Sequence, residues 1–240
     1  MKKIKSYSQI LDSVKERVSI MEMALNPERI DKVKRFKDAG DISNSLKLIQ
    51  PSLDKVVDIC RNINYDDINY SYKNELVKVS YNSVVLVLLA TLKNDTDILG
   101  DEVHQRIFGD GYDDIYLEIE IDSELLNRID IINGLPNFMK GIGLGKKIYK
   151  KLIKDFGFIS SFNGYEPSLE SSMVWRSLAT DSEIFTFTND DNIISFWSDL
   201  DYNLIIQKLK LFYQKRGKIQ IDDDFLKKNE LSEKELISLI

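Results

Sequence analysis

Three glycines, Gly141, Gly143 and Gly145, alternate at the mouth of an amphipathic helix, and this stretch constrains the fold more than any other. Behind them Ile148, Tyr149, Leu152, Ile153 and Phe156 recur at helical spacing, while Lys146, Lys147, Lys150, Lys151 and Lys154 fill the opposite face. Gly157 falls where a left-handed residue ends a helix. A loop without side chains that opens onto a helix N-terminus presents unpaired amides and the positive end of the helix dipole. It is therefore suited to an anion.

The remaining composition narrows the chemistry. Among 240 residues, 33 basic and 39 acidic side chains leave a net charge of −6, which argues against a nucleic-acid-coating protein. A single cysteine, Cys60, excludes an intrachain disulfide and a cysteine zinc site, and a single histidine, His104, excludes a multi-histidine metal centre. Lys2, Lys3 and Lys5 precede no apolar run of the kind that makes a signal peptide. Val84 to Leu92 is the longest apolar stretch, short of the roughly 20 residues that span a bilayer. It reads as a buried strand. The expectation is a soluble, cytoplasmic protein with no membrane partner.

Along the chain, Ile10, Leu11, Val14, Val18 and Met21 predict a first helix, and Asn26-Pro27-Glu28 starts another. Gly40 and Pro51 punctuate the next segment, with Leu53, Val56, Val57 and Cys60 marking a short helix. The tract from Asn62 to Asn74 reads as a connection. Strands are predicted over Leu76–Tyr81 and Val84–Leu92, joined by a turn at Asn82-Ser83, and over Ile115–Asp122, Arg128–Asn133 and Phe158–Ser161. Helices come after these at Ser168–Leu178, Tyr202–Lys215 and Ser232–Leu239, with a hairpin between Glu183–Thr188 and Ile193–Trp197. Ser232 to Glu235 is a capping-box pattern. Asp110, Asp113 and Asp114 lack calcium-loop spacing and read as a turn. The expected architecture is α+β, with a mixed, mostly antiparallel sheet flanked by helices. Residues 1–74 form a helical lobe and connection, 75–200 the core and 201–240 a helical extension.

The glycine spacing excludes two phosphate loops. A dinucleotide fingerprint places its third glycine three residues after the second, and a triphosphate loop ends in Gly-Lys-Ser/Thr; neither pattern is present. Lys140-Gly141-Ile142-Gly143-Leu144-Gly145 instead resembles the pyrophosphate loop of the GNAT (N-acetyltransferase) superfamily, Gln/Arg-x-x-Gly-x-Gly/Ala. Within that superfamily the chain looks most like GNAT-like proteins of tailed bacteriophages. It shares with them Asn127-Arg128, Leu135-Pro136, Gly141 to Tyr149, Ser160-Ser161 and Val174-Trp175-Arg176-Ser177-Leu178. The resemblance covers roughly residues 76–197. It implies that acetyl-coenzyme A lies between strands Arg128–Asn133 and Phe158–Ser161. Its pyrophosphate would meet the amides of Gly141, Ile142, Gly143, Leu144, Gly145 and Lys146, with the Lys140 side chain over it.

The chain departs from the family at two places. Lys140 stands where Gln or Arg is usual, supplying charge without a planar fork. The family's Asn, Ala and Tyr, the last of which protonates the departing thiolate, match Ser168, Ser171 and Trp175, and an indole cannot be that acid. Tyr165 is the substitute candidate. Asp130 is the candidate base, as the carboxylate of the strand before the loop, with Glu118 and Glu120 as alternatives. The lysine face could hold the coenzyme's 3′-phosphate or a nucleic acid, or be a solvated face. Trp175 and Trp197 read as core aromatics. The resemblance leaves two functions open. One is acetyl transfer from acetyl-coenzyme A to an amine. The other is a non-catalytic phage protein of this fold that assists assembly or inhibits a phage or host protein.

Overall fold

The structure is a computed structural model that describes residues 27–38, 40, 42–80, 83–109, 116–161, 169–189 and 192–240. The helix expected over Ile10–Met21, the turn at Asn82, the Asp110–Asp114 turn, Tyr165 and Ser168 lie outside the described residues. Helices α1 (Pro27–Asp38), α2 (Ile42–Asn62), α3 (Ser83–Leu99) and α4 (Asp101–Phe108) precede the glycine loop, and α5 (Leu144–Phe156) comes directly after it. Then come α6 (Leu169–Leu178), α7 (Tyr202–Arg216), α8 (Asp223–Lys228) and α9 (Glu233–Leu239). The strands are β1 (Asn69–Lys73), β2 (Leu76–Ser80), β3 (Leu117–Asp122), β4 (Arg128–Asn133), β5 (Phe158–Ser161), β6 (Ile184–Asn189) and β7 (Asn192–Trp197). They form one seven-stranded sheet in the order β1-β2-β3-β4-β5-β7-β6. β4 and β5 are parallel, while β7 runs antiparallel to both β5 and β6. The fold is α+β with a mixed sheet, as expected.

By its contacts the chain divides into two compact units. One comprises Met1–Ile63, Val79–Leu117 and Asn133–Ile142; the other comprises Asn64–Lys78, Glu118–Ile132 and Gly143–Ile240. The first unit is helical in its described part and corrects two expectations. Val84–Leu92 is not a strand but the first half of α3. Val85, Leu88, Leu89, Leu92, Thr96 and Leu99 are buried at intervals of three and four, in a helix packed by α1, α2 and α4. Over Val84–Leu92 the less buried positions, Leu86, Val87 and Ala90, are apolar too, so no polar residue marks the period and only the 17-residue length identifies the helix. Pro51 does not end a helix either, but sits within α2. Ser45, Ile49, Ser52, Val56 and Cys60 form one buried stripe that runs past it, and tertiary packing holds the helix through the break.

In the second unit the strands carry helices on both faces. Phe158, Phe185, Phe187, Ile194 and Phe196 turn toward Ile205, Leu209, Phe212, Phe225 and Leu236 of α7–α9. Residues of opposite parity face α5: Trp197, next to Phe196, has its ring beneath Lys150 and Lys154. The Asn62–Asn74 tract is not wholly a connection. It contains a single 3-10 turn, Tyr65–Asp67, and the edge strand β1, whose Tyr70 and Tyr72 rings lie 6.3 and 5.1 Å from that of Phe156. The helix α8, absent from the expected elements, begins with Asp222 accepting the Phe225 amide. α9 carries the expected capping box between Ser232 and Glu235.

Candidate functional site

β4 enters the sheet under strain. Leu126 and Asn127 precede it with φ of +62° and +50°, a left-handed conformation that costs an ordinary side chain about 1–2 kcal/mol. Hydrogen bonds to β5 hold them there. Asn127 Nδ2 donates to the Phe158 carbonyl at 3.0 Å, the Ser160 amide donates to the Asn127 carbonyl at 3.1 Å, and Ser160 Oγ donates to the Leu126 carbonyl at 2.9 Å. The parallel pairing at Arg128↔Ser160 comes immediately after. β5 ends one residue later, at Ser161, whereas β4 continues to Asn133. Ile131 and Ile132 are 48% and 59% exposed although β4 is an interior strand. Consecutive strand residues point to opposite faces, so the far end of β4 is open on both.

The glycine loop separates into parts with different tasks. Gly141 and Gly143 have φ of +74° and +83° with no neighbour near their missing side chains; their role is backbone shape. Gly145 has no such constraint, and a Cβ there would lie 3.1 Å from Val174 Cγ2, so it lets α5 approach α6. No side chain caps α5. The first turn of α5 is closed by the Lys147 amide donating to the Gly143 carbonyl at 3.3 Å. The division between the two units falls inside this loop, leaving Lys140, Gly141 and Ile142 in the first and Gly143 to Lys146 in the second.

The lysine face is not a patch awaiting phosphate. Lys146 and Lys150 reach Asp181 at 3.2 and 2.9 Å, and Lys150 also reaches Glu183 at 2.5 Å. Lys151 pairs with Asp155, and Lys154 pairs with Asp66, both at 2.8 Å. Lys150 and Lys154 also lie 4.9 and 5.1 Å from the centre of the Tyr65 ring. Burial pushes the Asp181 carboxyl up, but Lys150, the Glu183 amide and Lys146 outweigh it and hold that carboxyl below the usual aspartate range. A depressed folded pKa stabilises the fold above the unfolded value of about 3.9, and this contribution is lost as pH falls through the folded value. Asp181→Asn is therefore expected to lower stability by about 1–3 kcal/mol at pH 7, with the deficit shrinking below about pH 4. Urea unfolding at pH 7, 5 and 3 reads this out; a deficit constant across that range would dismiss the ionic account.

Asp130 lies on β4 with its Oδ2 3.1 Å from Arg128, and Arg128 also reaches Asp122 at 3.5 Å. Glu118 pairs with Lys78 at 2.9 Å, and Glu120 is exposed. Trp175 is buried, with its ring edge-on to Tyr149 at 5.3 Å. Tyr149, unremarked in the sequence except as a core position, is 4% exposed and its hydroxyl is hydrogen-bonded to Ser171. Burial, partly countered by that bond and reinforced by the charge of Asp130, pushes the phenol up to about 12. Thus α5 and α6 bring Tyr149, Ser171 and Trp175 together, a grouping that depends on two separate elements. Among the described residues no three His, Cys, Asp or Glu side chains are arranged to hold a metal, and no helix is long and apolar enough to cross a membrane. Comparison with protein-family models, curated proteins and solved structures finds no match for the chain.

Proposed function

We propose that this chain is a GNAT-type N-acyltransferase, phage-encoded, that carries an acetyl group from acetyl-coenzyme A to an amine. The observation that supports the proposal is the interior strand β4, paired in parallel with β5 at Arg128↔Ser160 and carrying exposed Ile131 and Ile132 toward its far end, in a sheet ordered β1-β2-β3-β4-β5-β7-β6. An extended, amide-bearing arm such as that of coenzyme A satisfies a strand edge of this kind by strand-like hydrogen bonds, and Ile131 and Ile132 offer it apolar contact. The amides of Gly143 to Lys146 receive the pyrophosphate. Asp130 is the carboxylate on the strand along which the thioester lies, and in this proposal it takes the proton shed by the attacking amine.

A second reading rests on Trp175, whose buried indole occupies the position at which the family carries a phenol. A chain that kept the fold and lost the chemistry would bind the coenzyme without turnover and act on a phage or host protein instead. Calorimetry with acetyl-coenzyme A, and then thiol release with spermidine, a lysine peptide and a peptide amino terminus, separates the two. Binding in the micromolar range with thiol release is the expected result. Binding without release selects the second reading, and no heat at millimolar coenzyme would dismiss both.

A further inference from the structure

The sheet has one covered edge and one bare edge. At β6 the edge is closed by the chain that follows α7: the Gln220 amide donates to the Thr188 carbonyl at 2.6 Å, and the Thr186 amide donates to Asp222 at 2.7 Å. At β1, the other end of the strand order, no further strand lies alongside among the described residues, and Asn69, Ser71, Tyr72 and Lys73 are exposed. The β1–β2 hairpin fixes what this edge presents. Asn74 and Glu75 are its two-residue turn, both left-handed at φ of +50° and +65°, so Lys73 and Leu76 are the hydrogen-bonded pair beside it. Alternation then turns the backbone groups of Lys73, Ser71 and Asn69 toward β2, and the amides and carbonyls of Tyr70 and Tyr72 outward. The edge is also held in shape. Tyr70 stacks on Phe156 of α5 at 6.3 Å and donates its hydroxyl to Asp155 at 2.9 Å, while Tyr72 meets Phe156 edge-on at 5.1 Å. A bare, ordered strand edge is a template for another strand.

We propose that β1 pairs antiparallel with β1 of a second copy of this chain, centred on Ser71, so that two sheets become one. The strand is complementary to itself in this register. Tyr70 of each copy lies opposite Tyr72 of the other, so the outward amides of both copies meet the outward carbonyls of both. The rings of Tyr70 and Tyr72 share the Phe156 face and form cross-strand aromatic pairs. Ser71 meets its own copy at the two-fold axis, where a small side chain suits the close approach of a non-hydrogen-bonded pair. Charge selects the direction. Lys73 comes opposite Asn69 of the second copy, beside the exposed Asp67 in the turn that precedes it, whereas a parallel pairing would set Lys73 against Lys73. Assembly stops at two copies, because the β6 edges left at either end are covered by Gln220 and Asp222. A strand of five residues falls short of the roughly 20–30 residues a side of a stable complex, so the dimer is a micromolar one. The pairing does not depend on the acyltransferase reading.

Sedimentation velocity of the full chain over a concentration series tests this. Wild type is expected to pass from monomer to dimer with a dissociation constant of about 10–100 µM. Ser71→Lys and Ser71→Glu each set two like charges against one another at the axis, and each should weaken the dimer at least about fivefold. Ser71 is exposed, so both variants should keep the fold. Their equimolar mixture should pair at least as well as wild type, because lysine then meets glutamate at the axis. Amide exchange gives a second measurement that needs no variant. In wild type the Tyr70 and Tyr72 amides should exchange more slowly as concentration rises, while the Ser71 amide, turned toward β2, should not change. A wild type still monomeric at about 500 µM overturns the proposal. So does a dimer indifferent to both substitutions, a mixture no better than the single variants, or Tyr70 and Tyr72 exchange independent of concentration.

Discussion

Phe225→Ala is expected to lower the free energy of unfolding by about 3–5 kcal/mol, among the largest stability effects of any single truncation in the second unit. α8 has only six residues and cannot persist on its own helical propensity. Its stability comes from one ring. Phe225 is fully buried, edge-on to Phe185 and Phe187 at 5.3 and 5.4 Å and stacked on Tyr202 at 6.0 Å. Asp222, the residue before the helix, accepts the Phe225 amide at 2.8 Å and the Thr186 amide at 2.7 Å, so the cap also ties α8 to the edge strand β6. Gln220 bridges to Thr188 on the same edge. Truncating Phe225 leaves a void bounded by β6 and α7 that a sheet and a fifteen-residue helix cannot collapse to fill. Phe225→Leu should recover more than half of the loss by refilling it. Urea unfolding monitored by circular dichroism measures both. Coenzyme affinity in the folded variant should be unchanged, because this face of the sheet is opposite α5. A midpoint equal to that of wild type would mean that residues 218–240 contribute nothing to this core.

The contrast between α8 and β5 shows what was legible in the sequence. β4, β5, α5 and α9 stand where the sequence places them: α5 by its one buried face and terminal glycine, α9 by its capping box, and β4 and β5 as short β-branched and apolar runs bounded by turn residues. β1 was hidden: Asn-Tyr-Ser-Tyr-Lys is an exposed edge strand held by pairing with β2, by Tyr70 and Tyr72 meeting Phe156, and by the Tyr70 hydroxyl donating to Asp155 at 2.9 Å. α3 was hidden for the opposite reason: the less buried positions of its first half, Leu86, Val87 and Ala90, are as apolar as its buried ones. The candidate site divides similarly. The glycine loop is local, so its spacing announces it. The partners that neutralise the lysine face, Asp66, Asp181 and Glu183, come from other elements, and no spacing along α5 could reveal them. Gly145 owes its identity to Val174 on a different helix, so the regular alternation of glycines overstated how many of them shape the loop.

Gly143→Asp is expected to weaken acetyl-coenzyme A binding by at least about 100-fold while leaving the fold in place. Gly143 precedes α5 at φ +83°, and among the described residues nothing lies within 4 Å of an added Cβ, so the cost there is conformational. Aspartate is among the residues that best tolerate this region, and the remaining strain is about 1 kcal/mol. A carboxylate at the N-terminus of a helix recovers part of that through the dipole and the unpaired amides of the first turn. The same favourable contact defeats the ligand. The added carboxylate lies beside the amides of Leu144, Gly145 and Lys146 and sets a negative charge against the pyrophosphate, so one or two charge-assisted hydrogen bonds of about 1.5–3 kcal/mol each are lost. Gly143→Asn has nearly the same shape without the charge and separates occupancy from repulsion; it should bind between wild type and Gly143→Asp. Gly145→Ala should behave in the opposite sense, losing stability through Val174 Cγ2 at 3.1 Å with little effect on affinity, because its Cβ points into the helix contact. Calorimetry and thermal unfolding on the three variants read the two quantities independently. Equal affinity in wild type and Gly143→Asp would show that no phosphate sits at the start of α5. The exposed Ile131 and Ile132 of β4 would then need a ligand without one.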